Sequence, residues 1–81
     1  MRLDKYLKVS RLIKRRTVAD DACSAGHVSV NGKVAKSAHE VKEGDIIEIR
    51  FGAKLLKARV LEVKEHVLKG AAADMYEILE S

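Results

Sequence analysis

The pair Asn31-Gly32 constrains this chain more than any other feature of its sequence. Both residues tolerate positive φ, as the two central positions of the tightest hairpin turn require, and alternating strand-like segments flank them. Residues 27–30 alternate polar and β-branched side chains, and residues 33–35 supply the returning strand. A two-residue turn fixes register, so a sheet must be built outward from this hairpin, with Val28, Val30 and Val34 expected in the core.

Upstream, Leu3, Tyr6, Leu7 and Val9 recur at roughly helical spacing, with Lys5 and Lys8 on the opposite side. This predicts a two-turn helix over residues 3–9. Ser10 and residues 11–16 read as a basic link anchored to the core by Leu12 and Ile13. Thr17, followed by Asp20, is expected to cap a second helix whose Val18, Ala19, Ala22, Cys23 and Ala25 form a narrow apolar stripe. Gly26 closes that helix in the left-handed conformation.

Downstream of the hairpin, a looser stretch over residues 36–39 leads to Val41. Glu43, Gly44 and Asp45 then turn the chain into a strand over residues 46–51, with Ile47 and Ile49 on one face and Phe51 in the sheet core. A turn of Gly52, Ala53 and Lys54 precedes another strand over residues 55–63, carrying Leu56, Ala58 and Val60. Residues 64–73 are less determinate; Gly70 and the three alanines after it are read as opening a short helix, and residues 76–79 as a terminal strand. Proline is absent and no long polar linker interrupts the pattern, so the expected class is a single α+β domain.

Charge is unevenly spread along this frame. The chain has 81 residues and a formal charge of +4, yet residues 1–16 hold seven basic side chains against the single acid Asp4. The remaining 65 residues are net acidic by two charges. A basic face confined to one segment suits a polyanionic partner better than general solubility does. Arginine offers phosphate a planar fork of donors and lysine a mobile point charge, so both can hold a folded RNA backbone without reading its sequence. The candidate RNA-binding residues are Arg2, Lys5, Arg11, Arg15 and Arg16, with Lys33 extending the surface just after the hairpin turn. Helix starts and turns near these residues could add backbone amides for phosphate. Asp4 either orients Arg2 or Arg16 by ion pairing or caps the first helix.

Other chemistry finds little support. The lone Cys23 excludes an internal disulfide and sits in the apolar stripe of small residues, where it reads as core rather than nucleophile. His27, His39 and His66 are scattered without metal-site spacing, and no phosphate loop of the nucleotide-binding type occurs. Tyr6 reads as helix packing, and the three aromatic residues are too few for a base-stacking platform. The expectation is a protein without cofactor, metal or catalytic activity. No apolar run approaches a membrane span and the N-terminus lacks a secretory pattern, which predicts a cytoplasmic protein with no membrane partner.

Arg2 through Leu7, then Ser10-Arg11, Arg15-Arg16-Thr17, the run from Ala25 to Lys33, and Val41 through Ile47 together strongly resemble the S4-type RNA-binding domain. Their order and spacing are specific where each fragment alone would be weak. The resemblance implies two helices packed on a small, strongly bent sheet over residues 1–51, with residues 52–81 a β-rich extension in the same domain. It also implies that RNA lies along the helical basic face, held by Arg2, Lys5, Arg11, Arg15, Arg16 and Lys33. The chain's length and its basic run over residues 8–17 are similar to the stand-alone bacterial ribosome-associated quality-control factors of this family. That likeness implies partners: an obstructed large ribosomal subunit, its ribosomal RNA and peptidyl-tRNA, and a protein that tails stalled chains with alanine. A ribosome-assembly or structural ribosomal protein is the alternative on the same residues.

Overall fold

A computed structural model describes residues 1–65, 67 and 69–79. Two short helices, α1 (Leu3–Val9) and α2 (Arg16–Ser24), are followed by strands β1 (Val28–Val30), β2 (Lys33–Val34), β3 (Ile46–Phe51) and β4 (Lys54–Val60). A 3-10 helix (Lys69–Met75) then leads into β5 (Tyr76–Leu79). The five strands form one antiparallel sheet in the order β2-β1-β3-β4-β5.

The hairpin forms as its dipeptide predicts. Val30 pairs with Lys33, and Asn31 and Gly32 take φ of 53° and 85°. Asn31 does more than turn the chain: its Nδ2 donates to Asp45 Oδ1 at 3.1 Å, and its Oδ1 accepts from the Ile46 amide at 2.9 Å. These bonds clip the turn to the entrance of β3. Asn31→Ala forfeits both and leaves a Cβ in the left-handed region, so it is expected to destabilise the domain by about 2 kcal/mol, read as a lower midpoint in urea.

Register also explains why Val34 is not in the core. Ser29 pairs with both Val34 and Glu48, while Val28 and Val30 pair with Ile49 and Ile47. Residues directly opposite one another share a face, so Val34 joins the solvent side and is 66% exposed. Ala35, one residue on, takes the buried place instead.

Leu3, Tyr6 and Leu7 from α1 meet Ala19 and Cys23 from α2 over Val28, Val30, Ile47, Ile49, Val60 and Met75. Small side chains on α2 let the helices approach closely, but the buried stripe is narrower than expected. Val18 and Ala25 are exposed and Ala22 is only partly covered. Phe51, the last residue of β3, is 44% exposed rather than in the core, in an open groove that it lines with Val18 and Ala22 of α2.

Thr17 does not cap α2. The helix begins two residues earlier than that cap would set it, at Arg16, behind Arg15 in extended conformation and without a side-chain cap. Asp20, the presumed partner of that cap, instead accepts a hydrogen bond from the Ser37 hydroxyl. At the other end Gly26, with φ 80°, closes α2 through paired bonds, His27 N to Ala22 O at 2.9 Å and Gly26 N to Cys23 O at 3.1 Å.

The turn after β3 is shorter than expected, with Phe51 pairing to Lys54 across Gly52 and Ala53. Lys54 therefore belongs to β4, which ends at Val60 rather than at residue 63. There the Leu61 and Glu62 amides turn to the Met75 carbonyl, at 2.8 and 3.2 Å, and leave the strand ladder. His66, Leu68, Glu80 and Ser81, within the extension expected over residues 52–81, lie outside the described residues. No helix among the described residues is long and apolar enough to cross a membrane.

Candidate nucleic-acid interface

Asp4 organises the basic face. Its side chain is only 5% exposed, on the first turn of α1, and the guanidinium groups of Arg2 and Arg16 approach it at 3.2 and 3.5 Å. Entry of Arg16 into α2 thus brings the two helices' arginines to one carboxylate. Burial alone would raise the pKa of Asp4. The hydrogen bond from Arg2, the bond from the Lys5 amide and the charges of Arg16 and Arg2 outweigh it, so the carboxyl is held below its usual range. Asp4 also accepts from the Lys5 amide at 2.8 Å, so ion pairing and support of the helix start coexist.

The helix start is closed to outside ligands. The Leu3 amide donates to His39 O at 2.8 Å and the Asp4 amide to Ser37 O at 3.2 Å. At the start of α1 phosphate binding therefore falls to side chains, whereas the start of α2 carries no side-chain cap.

Arg2, Lys5 and Arg16 line one open cavity of about 440 Å³ together with Met1, Glu40 and Glu65. Arg11 lies in a second, of about 390 Å³, with Lys8, Lys14, Glu65 and Val67. Glu65 borders both and pairs with Lys5 Nζ at 3.6 Å. Arg15 and Lys33 are exposed and line neither cavity; Arg15 precedes α2 and Lys33 begins the edge strand β2. Of the six candidates, three converge on one site and a fourth on its neighbour.

Sequence reasoning passed over Lys8, Lys14 and Glu65 as site residues. Helical spacing of Lys5 and Lys8 signalled one of them. Nothing local signalled Glu65, which is 60 residues from Lys5 and arrives through the packing of the extension.

Arg11 has a conformation that its residue type does not favour. It follows Ser10, the C-cap of α1, with φ 63°, in the place that Gly26 takes after α2. The left-handed region costs a residue with a Cβ about 1–2 kcal/mol. The Arg11 amide donates to Lys8 O at 3.1 Å and the Ile13 amide to Leu7 O at 3.0 Å, which holds the turn in place.

Several cations elsewhere are paired. On the outer sheet face Lys57 pairs with Glu48 at 3.7 Å and Arg59 with Glu77 at 3.3 Å, in each case between residues directly opposite in the ladder. Among the described residues, Lys8, Arg11, Lys14 and Arg15 have no carboxylate within salt-bridge distance. These four lie within eight residues at the end of α1 and the link to α2, so positive charge is concentrated there, to the gain of a polyanion.

A family model described as the S4 domain matches residues 1–47. A Streptococcus pneumoniae protein named RQC P-site tRNA stabilizing factor is 58% identical over 79 residues, covering 98% of this chain and 90% of its own length. The Bacillus subtilis protein of the same name is 52% identical over 80 residues, covering 99% and 93%. Heat shock protein 15 of Vibrio cholerae, solved as a trimer, superposes with a TM-score of 0.88 at 28% identity, covering 98% of this chain and 81% of that one. Motif order, the two helices on an antiparallel sheet and these likenesses agree: the chain belongs to the S4 domain family of RNA-binding proteins, alongside the relatives named RQC P-site tRNA stabilizing factor.

Proposed function

We propose that this protein is a non-catalytic, cytoplasmic ribosome-associated quality-control factor. It binds ribosomal RNA and peptidyl-tRNA on obstructed large ribosomal subunits, stabilises the tRNA, and assists a partner that tails the stalled chain with alanine. The observation that carries this reading is the 58% identity, over nearly the whole chain, to a protein named RQC P-site tRNA stabilizing factor. The half-exposed guanidinium groups of Arg2 and Arg16, aimed by one buried carboxylate, support it physically. Residues 1–51 supply the RNA-binding core, and residues 52–81 extend it within the same domain.

Arg2, Lys5 and Arg16 act together, Arg11 acts from the neighbouring cavity, and Arg15 and Lys33 make outlying phosphate contacts. A non-catalytic role fits the one thiol, Cys23, since burial pushes its pKa up and away from the reactive thiolate.

Cosedimentation with large subunits carrying peptidyl-tRNA tests the proposal. Arg2→Gln/Arg16→Gln is expected to weaken the association about tenfold per arginine and to reduce the salt slope by about 2, with the circular-dichroism spectrum unchanged. Undiminished binding would remove these two residues from the interface. Equal occupancy of empty, assembling and obstructed subunits would favour a ribosome-assembly or structural role instead.

A further inference from the structure

We infer that the cavity between the end of α1 and the residues Glu65 and Val67 is a second RNA-phosphate site, formed by Lys8, Arg11 and Lys14 and separable from the site of Arg2, Lys5 and Arg16. The inference rests on the RNA-binding reading above and goes beyond it, because Lys8 and Lys14 become ligand-binding residues and the basic face divides in two.

Three observations carry it. First, three cations line one cavity of about 390 Å³ whose only acidic lining residue among the described residues is Glu65. Like charges gathered this way repel one another, and the nearest acid is already engaged with Lys5 at 3.6 Å. A phosphate entering the cavity would supply the missing negative charge, and three cationic donors suit its several oxygens.

Second, Arg11 sits at φ 63° where the other helix of this chain uses Gly26 at φ 80°. Glycine would satisfy the backbone there without strain, so arginine at this place serves something other than the fold. Its side chain lines the cavity. The bonds from the Arg11 and Ile13 amides to Lys8 O and Leu7 O hold the left-handed turn, and so fix where that side chain leaves the backbone.

Third, Glu65 borders this cavity and the Arg2-Lys5-Arg16 cavity alike. An acid standing between two groups of cations repels a phosphate placed midway and favours one on each side. The two sites can then hold separate phosphates, on one strand or on two RNA elements.

The test titrates a fluorescent RNA hairpin, and large subunits carrying peptidyl-tRNA, against the full chain at several salt concentrations, with thermal melts in parallel. Arg11→Gly is expected to raise the melting temperature by about 4 °C by relieving strain, yet to weaken RNA binding about tenfold and lower the salt slope by about 1. Arg11→Lys keeps the charge and should retain most of the slope. Lys8→Gln/Lys14→Gln should lower the slope by about 2 without loss of folded signal. Combined with Arg2→Gln/Arg16→Gln, the losses should multiply, as independent sites require.

If Arg11→Gly and Lys8→Gln/Lys14→Gln bind as the unaltered protein does while Arg2→Gln/Arg16→Gln is weak, the second site is overturned and the first stands. Losses that do not multiply overturn the separation into two sites. Failure of the unaltered protein to bind either probe overturns the RNA-binding reading itself and this inference with it.

Discussion

Tyr6→Ala is expected to remove a large share of the domain's stability. Tyr6 is fully buried, and removing a buried aromatic side chain costs about 3–5 kcal/mol. A domain of this length has a total stability of about 4–12 kcal/mol, so the loss is a large share of it. Tyr6→Phe separates packing from hydrogen bonding. The phenol donates to Met75 O at 2.7 Å, and burial pushes its pKa up, so it stays a donor across the physiological range. Met75 O also accepts the Leu61 and Glu62 amides, so it is not orphaned when the hydroxyl goes. Tyr6→Phe should therefore cost about 1 kcal/mol and lower the melting temperature by about 4–8 °C. Thermal melts followed by circular dichroism distinguish the two variants; a mild effect of Tyr6→Ala would show that α1 is held by its other contacts alone.

Asp4→Asn is expected to change both stability and RNA binding. It removes the charge that draws Arg2 and Arg16 together while leaving a hydrogen-bonding side chain of the same shape, and should cost about 1–2 kcal/mol at neutral pH. The pH dependence has a definite sign. Because the folded-state pKa of Asp4 lies below its ordinary value, its contribution is present above the unfolded-state pKa and is lost as pH falls through the folded value. The stability gap between the natural protein and Asp4→Asn should thus be flat near neutrality and close below about pH 4. Binding to peptidyl-tRNA-bearing subunits should weaken about tenfold although the variant gains one positive charge, since the arginines lose their common anchor. Tighter binding would mean that Asp4 repels RNA instead of aiming the arginines.

Much of this fold can be read in the sequence where local chemistry decides the geometry. Asn31-Gly32 sets the hairpin and its register; the spacing of Leu3, Tyr6 and Leu7 sets α1; Gly26 ends α2. Errors fall where tertiary pairing decides. Val34 looks like its neighbours Val28 and Val30, but a one-residue difference in pairing sends it to the other face. Thr17 has the chemistry of a cap, yet Asp20 bonds to Ser37 and Arg16 enters the helix to meet Asp4. The +6 segment identifies the basic face; its division by Glu65 could not be read there, because that acid reaches Lys5 only when the extension folds back.

The bond from Tyr6 to Met75 joins residues 69 apart. Helix α1 thus carries cations for the basic face on one side and on the other is fastened to a segment synthesised 69 residues later. Closing so long a loop is entropically slow, and contacts of this range delay folding more than helix formation does. During synthesis the basic residues of α1 emerge well before Met75 and lack this fastening until it follows. A nascent chain shorter than about 75 residues therefore presents positive charge to nearby RNA without the rigid arrangement that distinguishes one phosphate geometry from another.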